Sequence, residues 1–298
     1  MAHVFSEAAV GVDYVRGNWR HARACAIVAT MEAVRPLGDH LRDWRRRRRM
    51  SQLDLACEAE ISARHLSFVE TGRAQPSRDM VLHLAERLEV PLRERNVLLV
   101  AAGYAPIFSE RSLSDPALAT ARNAVDLVLK GHEPYPALAV DRHWTLVAAN
   151  DAVTRLIAGT TPALLQPPVN VLRLSLHPDG LASRIANLVE WRAHLLTRLR
   201  RQIDVSADPV LVELMNELRS YPALGAAGKG ASAGDQDYAG VIVPLRLVVK
   251  DRILSFFSTT AVFGTPVDIT LSELALESFF PADAATVEAL RELADGDR

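Results

Sequence analysis

Apolar residues recur at helical spacing through the first third of the chain, in short stretches separated by capping and turn residues. Leu37, Leu41 and Trp44 stand at i, i+4 and i+7 and predict a helix that begins at Pro36. Four further helices are expected to open at capping or turn positions and to end before Gly103: Ser51, Ser62, Ser77 and Pro91. Residues 36–103 therefore predict an all-α domain of five short helices.

The second and third of these helices are short and are joined by a tight turn. Ser51 is a predicted N-cap, and Asp54 three residues later completes a capping-box pattern. Ser62 is the next N-cap, and Gly72 can end the following helix in a left-handed conformation. Two capped helices with this spacing form a helix-turn-helix, which places the start of its second helix in the major groove of DNA. The pattern predicts DNA binding.

The second half of the chain changes period. Short apolar runs flank polar turns at 136–149 and again at 241–262, and each pair predicts a β-hairpin, with Pro244 marking an edge strand or a bulge. Helices are expected at 117–130, 151–157, 181–202, 209–219 and 282–293. Strand pairs at both ends with helices between them predict an α+β domain in which helices pack on a face of one antiparallel sheet.

These patterns divide the chain into four parts. Residues 1–35 have no clear period and are expected to form a loosely packed N-terminal extension; residues 36–103 form the helix-turn-helix domain. Residues 104–116 contain two prolines and read as a linker with little structure, and residues 117–298 form the α+β domain. Residues 225–240 are rich in Gly, Ala and Ser and predict a flexible loop, which lacks the spacing of a phosphate-binding loop.

Composition narrows the possible functions. The net charge is −2, and no apolar run is long enough to cross a bilayer. Cys25 and Cys57 form neither a CxxC pair nor a disulfide framework, which favours a reducing cytoplasm. Scattered histidines without ligand spacing predict no metal site, and the absence of nucleophile or dinucleotide motifs disfavours an enzyme.

Six arginines fall within eight positions just before the helix-turn-helix, at Arg42 and Arg45 to Arg49. A solvated helix end whose arginines complement the helix dipole is one interpretation. Contact with DNA phosphates is the other, and the adjacent helix-turn-helix favours it.

From Leu37 to Gly103 the chain resembles the xenobiotic-response-element (XRE) family of repressor-like domains. The resemblance rests on Ser51-Gln52, Ala56, Ile61-Ser62, the run from Phe68 to Arg73 and Pro76-Ser77. Glu60 departs from the family, which often has glycine at this turn position, and a left-handed non-glycine residue there costs about 1 kcal/mol.

The resemblance implies DNA contacts at Gln52, Ser62, Ala63, Arg64, His65, Phe68, Arg73 and Arg78. Arg64 is the strongest candidate for base reading, because arginine binds guanine O6 and N7 through two hydrogen bonds. Ala63 and Phe68 offer apolar contact only. The alternatives are an exposed helix face without base contacts for Arg64 and His65, and half-buried packing for Phe68.

From about residue 110 to the end the chain resembles the ligand-binding domain of MmyB-like transcription regulators. The resemblance is carried by GHEPYPALAVDRHWTLVAAN, PPVNVLRLSLHPDG, Glu190-Trp191-Arg192, LSFFSTTAVFGTP and ESFFP. It implies a PAS-like fold with a pocket between sheet and helices for a small apolar ligand such as a fatty acid.

The pocket candidates are Trp144, Asn150, Leu172, Leu176, His177, Trp191, Phe256, Phe257 and Val262. Apolar residues at such spacings also serve as ordinary core. A ligand carboxylate would require a buried cation or amide, because an unpaired carboxylate in an apolar site is unfavourable. Arg173, His177 and Arg184 are the candidates for this anchor.

Together these patterns predict a cytoplasmic, homodimeric transcription regulator that binds a double-stranded operator and responds to an apolar metabolite. No cofactor is expected beyond that ligand, and no membrane association. The alternative is a DNA-binding regulator whose second domain is a dimerisation or protein-interaction module without a small ligand.

Overall fold

A computed structural model describes residues 35–222 and 243–295. The predicted N-terminal extension, apart from residue 35, and the Gly-, Ala- and Ser-rich loop at 225–240 lie outside the described residues.

Five helices form the first domain, as the pattern predicted, within one or two residues at each end. They are α1 (Leu37–Arg47), α2 (Gln52–Glu58), α3 (Ala63–Glu70), α4 (Arg78–Arg87) and α5 (Leu92–Ala101). The Ser51 hydroxyl accepts from the Asp54 N–H while the Asp54 carboxylate accepts from the Ser51 N–H, so the predicted capping box is confirmed. The hydroxyls of Ser62 and Ser77 cap α3 and α4 in the same way.

The turn between α2 and α3 accommodates its non-glycine residue. Glu60 has a φ of 53°, in the left-handed region that the comparison with the XRE pattern placed there. Its N–H donates to the Cys57 carbonyl at 3.2 Å, and the Ile61 N–H donates to the Ala56 carbonyl at 2.9 Å. Closing the turn with these two hydrogen bonds offsets part of the cost of the strained backbone.

Helices α1 and α3 approach each other very closely at Gly38. A Cβ atom on Gly38 would lie 2.2 Å from the backbone oxygen of Glu70. Only glycine fits this contact, and the crossing fixes the recognition helix α3 on α1.

The second domain contains a five-stranded antiparallel sheet in the order β2-β1-β5-β4-β3. The strands are β1 (Ala137–Val140), β2 (Leu146–Ala149), β3 (Leu245–Val249), β4 (Arg252–Val262) and β5 (Ala275–Pro281). The helices are α6 (Ala119–Gly131), α7 (Asp151–Ile157), α8 (Val171–Leu176), α9 (Leu188–Ser206), α10 (Pro209–Ser220), α11 (Ile269–Ser272) and α12 (Ala284–Asp295). The predicted fold class, an all-α helix-turn-helix domain followed by an α+β PAS-like domain, is confirmed.

Both faces of the sheet are covered. Leu138 and Val140 of β1 point to one side, into the main core with α7 to α10, whereas Ala137 and Ala139 point to the other, where α6 packs. Leu113 of the linker is 6% exposed and joins this second cluster. The linker thus lacks regular helix, as expected, but it is held against the sheet.

The helix predicted at 181–202 begins only at Leu188. The preceding residues bond the edge strand β3 instead. Ile185 forms a bridge with Leu247, and the Ala186 N–H donates to the Arg246 carbonyl at 2.8 Å. The Asn187 side chain accepts from the Arg246 N–H at 3.1 Å, so the edge of the sheet replaces the first helical turns.

Strand β5 was absent from the sequence prediction although it lies at the centre of the sheet. Its residues Ala275–Pro281 show no strict alternation of polar and apolar positions, and Leu276 and the adjacent Glu277 are both buried. Glu277 is 3% exposed in the middle of this strand, and a buried carboxylate further obscures the apolar pattern.

Candidate functional site

The recognition helix α3 presents part of the predicted DNA-contact set to solvent. Arg64 is exposed, and its guanidinium lies 5.4 Å from the centre of the Phe68 ring. Arg73 and Arg78 are exposed beyond the helix, while Ala63, His65 and Phe68 are half-buried. The Ser62 hydroxyl accepts from the His65 N–H at 3.1 Å, which fixes the N-terminal end of α3. The geometry leaves Arg64 free to extend from the surface, and its contact with DNA stays a prediction.

A buried carboxylate lies behind this surface. Glu70, at the end of α3, has a fully buried side chain that accepts from the Arg45 Nε at 2.7 Å and the Arg45 Nη2 at 3.0 Å. The Gln52 amide, one of the predicted DNA contacts, donates at 2.8 Å to Glu70 Oε2, the oxygen that also accepts from Arg45 Nη2. Arg42 donates to the Glu70 backbone carbonyl at 3.0 Å. We call Glu70, Arg45, Gln52 and Arg42 the Glu70 cluster; it ties the first, second and third helices together.

The ionisation of Glu70 follows from this arrangement. Burial acts to raise the pKa of Glu70, but the hydrogen bonds from Arg45 and Gln52 together outweigh it and hold the pKa below its ordinary value. The same carboxylate raises the pKa of Arg45. Glu70 is therefore an anion inside the domain at neutral pH.

The arginine run before the helix-turn-helix is divided between two roles. Arg42 and Arg45 belong to the Glu70 cluster, and Arg48 donates to the carbonyls of Leu88 and Glu89 at 2.9 Å and 3.0 Å. The guanidiniums of these three residues are therefore held by contacts within the domain, which disfavours phosphate contact by them. Three members remain exposed: Arg46, Arg47 and Arg49.

An apolar cavity of about 110 Å³ lies between the sheet and helices α7, α8 and α9. We call it the apolar cavity. Most of its wall is hydrocarbon from the strands and helices, and the polar groups that reach it are Ser175, Arg198, Ser258 and Glu277. Four aromatic side chains line the cavity: Trp144, Trp191, Phe256 and Phe279.

Four of the predicted pocket residues line the cavity: Trp144, Leu172, Trp191 and Phe256. Trp144 has a φ of 65°, a left-handed conformation that is unusual for a bulky residue, and its ring lies against Arg198 and Gln202 of α9. The Trp191 indole N–H donates to the Ser175 hydroxyl at 3.0 Å, so the polar edge of that ring is satisfied within the wall.

The other five predicted pocket residues lie elsewhere, each for a local reason. The Asn150 amide is buried in hydrogen bonds to the Leu129 and Tyr135 carbonyls, at 3.1 Å and 2.8 Å, and caps α7. Leu176 is core at the end of α8, and His177 packs edge-on against Tyr221 at 5.0 Å.

Phe257 and Val262 lie outside the cavity because of the geometry of strand β4. Side chains alternate along β4, so Phe256 faces the cavity and Phe257 faces the opposite side, where it stacks on Phe280 at 5.3 Å. Val262 is 65% exposed at the end of the strand, beyond the helices that roof the cavity.

The cations proposed as a ligand anchor are also engaged away from the cavity. Arg173 pairs with Glu217 at 2.7 Å, and Arg184 donates to the carbonyls of Val248 and Ala158. Neither lines the cavity wall.

Arg198 is the cation at the cavity, and sequence reasoning missed it. It donates to both carboxylate oxygens of Glu277 and to the Thr260 hydroxyl, and its guanidinium lies 4.7 Å from the centre of the Trp144 ring. A signal existed: Arg198 follows Trp191 and Leu195 at i+7 and i+3, so it interrupts an inward-facing apolar stripe of α9.

A second, polar space of about 220 Å³ adjoins the apolar cavity, and we call it the polar cleft. The two spaces share Trp144, Arg198 and Glu277 as a common wall. Beyond that wall the cleft is lined by Asp141, Arg142, Gln202 and Glu273, together with Val140 and Ala275.

The cleft borders a set of ion pairs that joins the two domains, which we call the domain bridge: Arg93, Glu110, Arg142 and Glu273. Arg93 of α5 donates to Glu273 at 2.8 Å and 3.0 Å and to Glu110 of the linker at 2.8 Å and 2.6 Å. The Arg142 Nε lies 3.7 Å from Glu273. Hydrogen bonding to Glu273 raises the pKa of Arg93, and Arg93 in turn lowers the pKa of Glu110.

The part of the chain that the structure describes contains no group of three or more His, Cys, Asp or Glu side chains arranged to hold a metal ion. Its helices are also all too short or too polar to cross a membrane.

Comparison with known families agrees with both halves of this description. Residues 36–98 match a family described as helix-turn-helix domain, and residues 121–293 match the MmyB-like transcription regulator ligand binding domain. Neither of these is an enzyme family. A search of curated proteins found no match to the chain. The second match spans more than half of the sequence, so the chain belongs to the MmyB-like transcription regulators, with a helix-turn-helix domain joined to their ligand-binding domain.

Proposed function

We propose that this DNA-binding regulator is a homodimer of the XRE type that acts in the cytoplasm and senses a small apolar metabolite through the apolar cavity. An acyl or alkyl chain, such as that of a fatty acid, suits the hydrocarbon wall. One observation carries the proposal: the apolar cavity shares a wall with a polar cleft that ends at the domain bridge on α5 of the DNA-binding domain. A few contacts therefore connect the proposed ligand site with the DNA-binding domain.

The size of the cavity supports a conformational response. At about 110 Å³ it is smaller than the 300–1,000 Å³ that is typical of sites for drug-sized ligands. A chain of more than a few carbon atoms must displace the wall to enter. A ligand that requires a wider cavity shifts the equilibrium toward the wider state, and this preference is what a sensor needs.

Trp144 is the wall residue best connected to the bridge. Its indole N–H donates to the Gln202 amide oxygen at 2.7 Å, and the Gln202 NH2 donates to the Arg142 carbonyl at 2.7 Å. The Arg142 guanidinium then approaches Glu273, which holds Arg93. Three hydrogen-bonded contacts and one ion pair at 3.7 Å thus connect a cavity side chain to the DNA-binding domain.

The test is native mass spectrometry of the purified chain with organic extraction, followed by DNA binding. We expect a discrete small molecule, or a cavity that accepts added alkyl compounds, and an operator affinity that changes when the cavity is filled. A chain that binds no alkyl compound, yet dimerises through its second domain, would instead identify an interaction module.

Arg64→Ala is expected to reduce discrimination at a single base position of the operator, by roughly 1–3 kcal/mol. The exposure of the Arg64 guanidinium above the Phe68 ring supports a contact with a guanine edge. Binding to a duplex selected from a random pool, and to single-base variants of that duplex, measures the effect. Arg201→Ala, on the exposed face of α9 in the second domain, is the matched control. An equal loss for every sequence would make Arg64 a phosphate contact.

Replacing both Arg46 and Arg47 by glutamine is expected to flatten the salt dependence of DNA binding. Each lost phosphate contact reduces the magnitude of the negative slope of log K against log salt by about 0.9, so the loss of both contacts reduces it by about 2. The control pair is Arg201→Gln with Arg219→Gln, which removes the same charge from exposed positions in the second domain. An unchanged slope would assign Arg46 and Arg47 to a solvated helix end.

A further inference from the structure

We infer that Arg198 and Glu277 select the end group of the ligand, and that this chain prefers a neutral hydrogen-bond donor, such as an alcohol or a primary amide, over a carboxylate. The inference rests on the proposed sensor function, since it assigns the chemistry of the ligand's polar end at the same cavity.

The cation at the cavity is already neutralised within the protein. Both carboxylate oxygens of Glu277 accept from Arg198, and the side chain of Glu277 is only 5% exposed. The Thr260 hydroxyl donates to the Glu277 Oε1 at 3.0 Å. Arg198 reaches the wall with its charge balanced, so it offers no unpaired positive charge to an incoming anion.

A carboxylate ligand would have to compete with Glu277 for Arg198. If it succeeded, the Glu277 carboxylate would stay buried in the central strand with the Thr260 hydroxyl as its remaining partner. Removing one partner of a buried ion pair is strongly unfavourable because it leaves an uncompensated charge. If both carboxylates shared Arg198, two like charges would lie within a few ångströms in an apolar site.

A neutral donor meets the opposite situation. A carboxylate has about four lone-pair sites, and within the described residues Glu277 uses three of them, two for Arg198 and one for Thr260. The Oε2 atom accepts one of these bonds and therefore keeps acceptor capacity. An alcohol or amide head can donate to it, whereas an ionised carboxylate has no proton to donate.

The polar cleft behind the pair has the same preference. Its charged lining is Asp141, Glu273 and Glu277 against Arg142 and Arg198, so carboxylates outnumber guanidiniums. Arg142 is itself paired with Asp208 at 3.3 Å. A head group that passes the wall would enter a space whose acids disfavour a further anion and whose oxygens accept from donors.

The direct test compares 1-decanol, decanamide and decanoate, which share one chain length, by calorimetry on the full-length native protein. We expect the alcohol and the amide to bind at least about tenfold more tightly than the carboxylate. Decanoate binding as tightly as decanol, or more tightly, would overturn the inference while leaving the sensor function intact. Failure of all three to bind or to be retained would overturn the sensor function, and the inference with it.

Glu277→Gln provides a reversal of preference. The substitution preserves size and leaves an amide oxygen to accept from Arg198, but it frees the guanidinium charge. Decanoate affinity should rise at least about tenfold in this variant, whereas decanol, which loses its charged acceptor at Oε2, should bind no more tightly than it binds to the native protein. Thr260→Val removes the hydrogen bonds of this hydroxyl with Arg198 and Glu277 without altering the charge of the pair, and it should preserve the native order of ligands. If decanoate gained nothing in a Glu277→Gln protein that still binds decanol, the pair would not set the preference.

Discussion

Glu70→Ala is expected to lower the free energy of unfolding of the DNA-binding domain by about 3–5 kcal/mol, a large part of the stability of a small domain. The substitution removes the carboxylate that accepts two hydrogen bonds from Arg45 and one from Gln52. Arg45, with a side chain 11% exposed, is left without its buried counter-charge. The remaining Arg45 partner, the Met50 carbonyl at 2.9 Å, supplies no charge.

Hydrogen–deuterium exchange of peptides from α1 and α3 measures this loss separately from the second domain. Glu58→Ala is the matched control, because Glu58 is an exposed acid on the neighbouring helix α2. Equal protection in Glu70→Ala and Glu58→Ala would contradict the assigned role of the cluster.

The dependence of the unfolding free energy on pH provides an independent test of the role of Glu70. Because the folded pKa of Glu70 lies below its ordinary value of 4.5, its contribution is fully present above that value. The contribution is lost as the pH falls through the lower, folded pKa. The native domain should therefore lose stability in this acidic range more steeply than Glu70→Ala, in which the linked proton is absent. Parallel curves of unfolding free energy against pH for the two proteins would contradict this assignment.

The sequence was most informative where local chemistry determines structure. Ser51 with Asp54, Ser62 and Ser77 are short-range caps whose hydrogen bonds need only the neighbouring backbone, and the structure forms all of them. Asn150 also caps a helix, but its three further hydrogen bonds, with Ala137, Leu129 and Tyr135, depend on tertiary contacts. Those contacts turn a candidate ligand group into a structural one.

The residues that line the apolar cavity were harder to predict from the sequence, because they are distant from one another along the chain. Trp144 and Trp191 were recognisable as large apolar residues near the predicted sheet and helix. The correct choice of Phe256 over Phe257 required the register of β4, which β5 determines through pairs such as Phe256 with Pro281. Without β5, neither the facing of that strand nor the pairing of Glu277 with Arg198 could be predicted.

The ion pairs of the domain bridge could not be predicted from the sequence for the same reason. Arg93 and Glu273 are 180 positions apart, and each alone reads as a surface charge on an amphipathic element. Their side chains are only 16% and 18% exposed in the folded chain. A pair this far removed from solvent is screened less than a surface pair, so its rearrangement has more energetic consequence.

Arg93→Gln is expected to reduce the effect of a cavity ligand on operator affinity from an allosteric range of about 5–150-fold to less than about twofold. Arg93 is the residue of α5 through which Glu273 and Glu110 hold the DNA-binding domain. Glutamine keeps some hydrogen bonding but removes the charge and the forked geometry on which both carboxylates depend. The widened cavity would then move Trp144, Gln202 and Arg142 without a firm connection to α5.

The measurement is operator affinity with and without saturating 1-decanol, or the molecule recovered by extraction, for the native chain and Arg93→Gln. Arg252→Gln breaks an exposed ion pair with Glu292 on the far side of the second domain and should preserve the native coupling. Linkage provides a second readout, because DNA must change ligand affinity by the same factor as ligand changes DNA affinity. Both factors should fall together in Arg93→Gln, while ligand affinity without DNA stays close to that of the native chain. Native coupling in that variant would mean that the domains communicate by another route, such as the Asn96 side chain, which accepts from the linker N–H groups of Ile107 and Phe108.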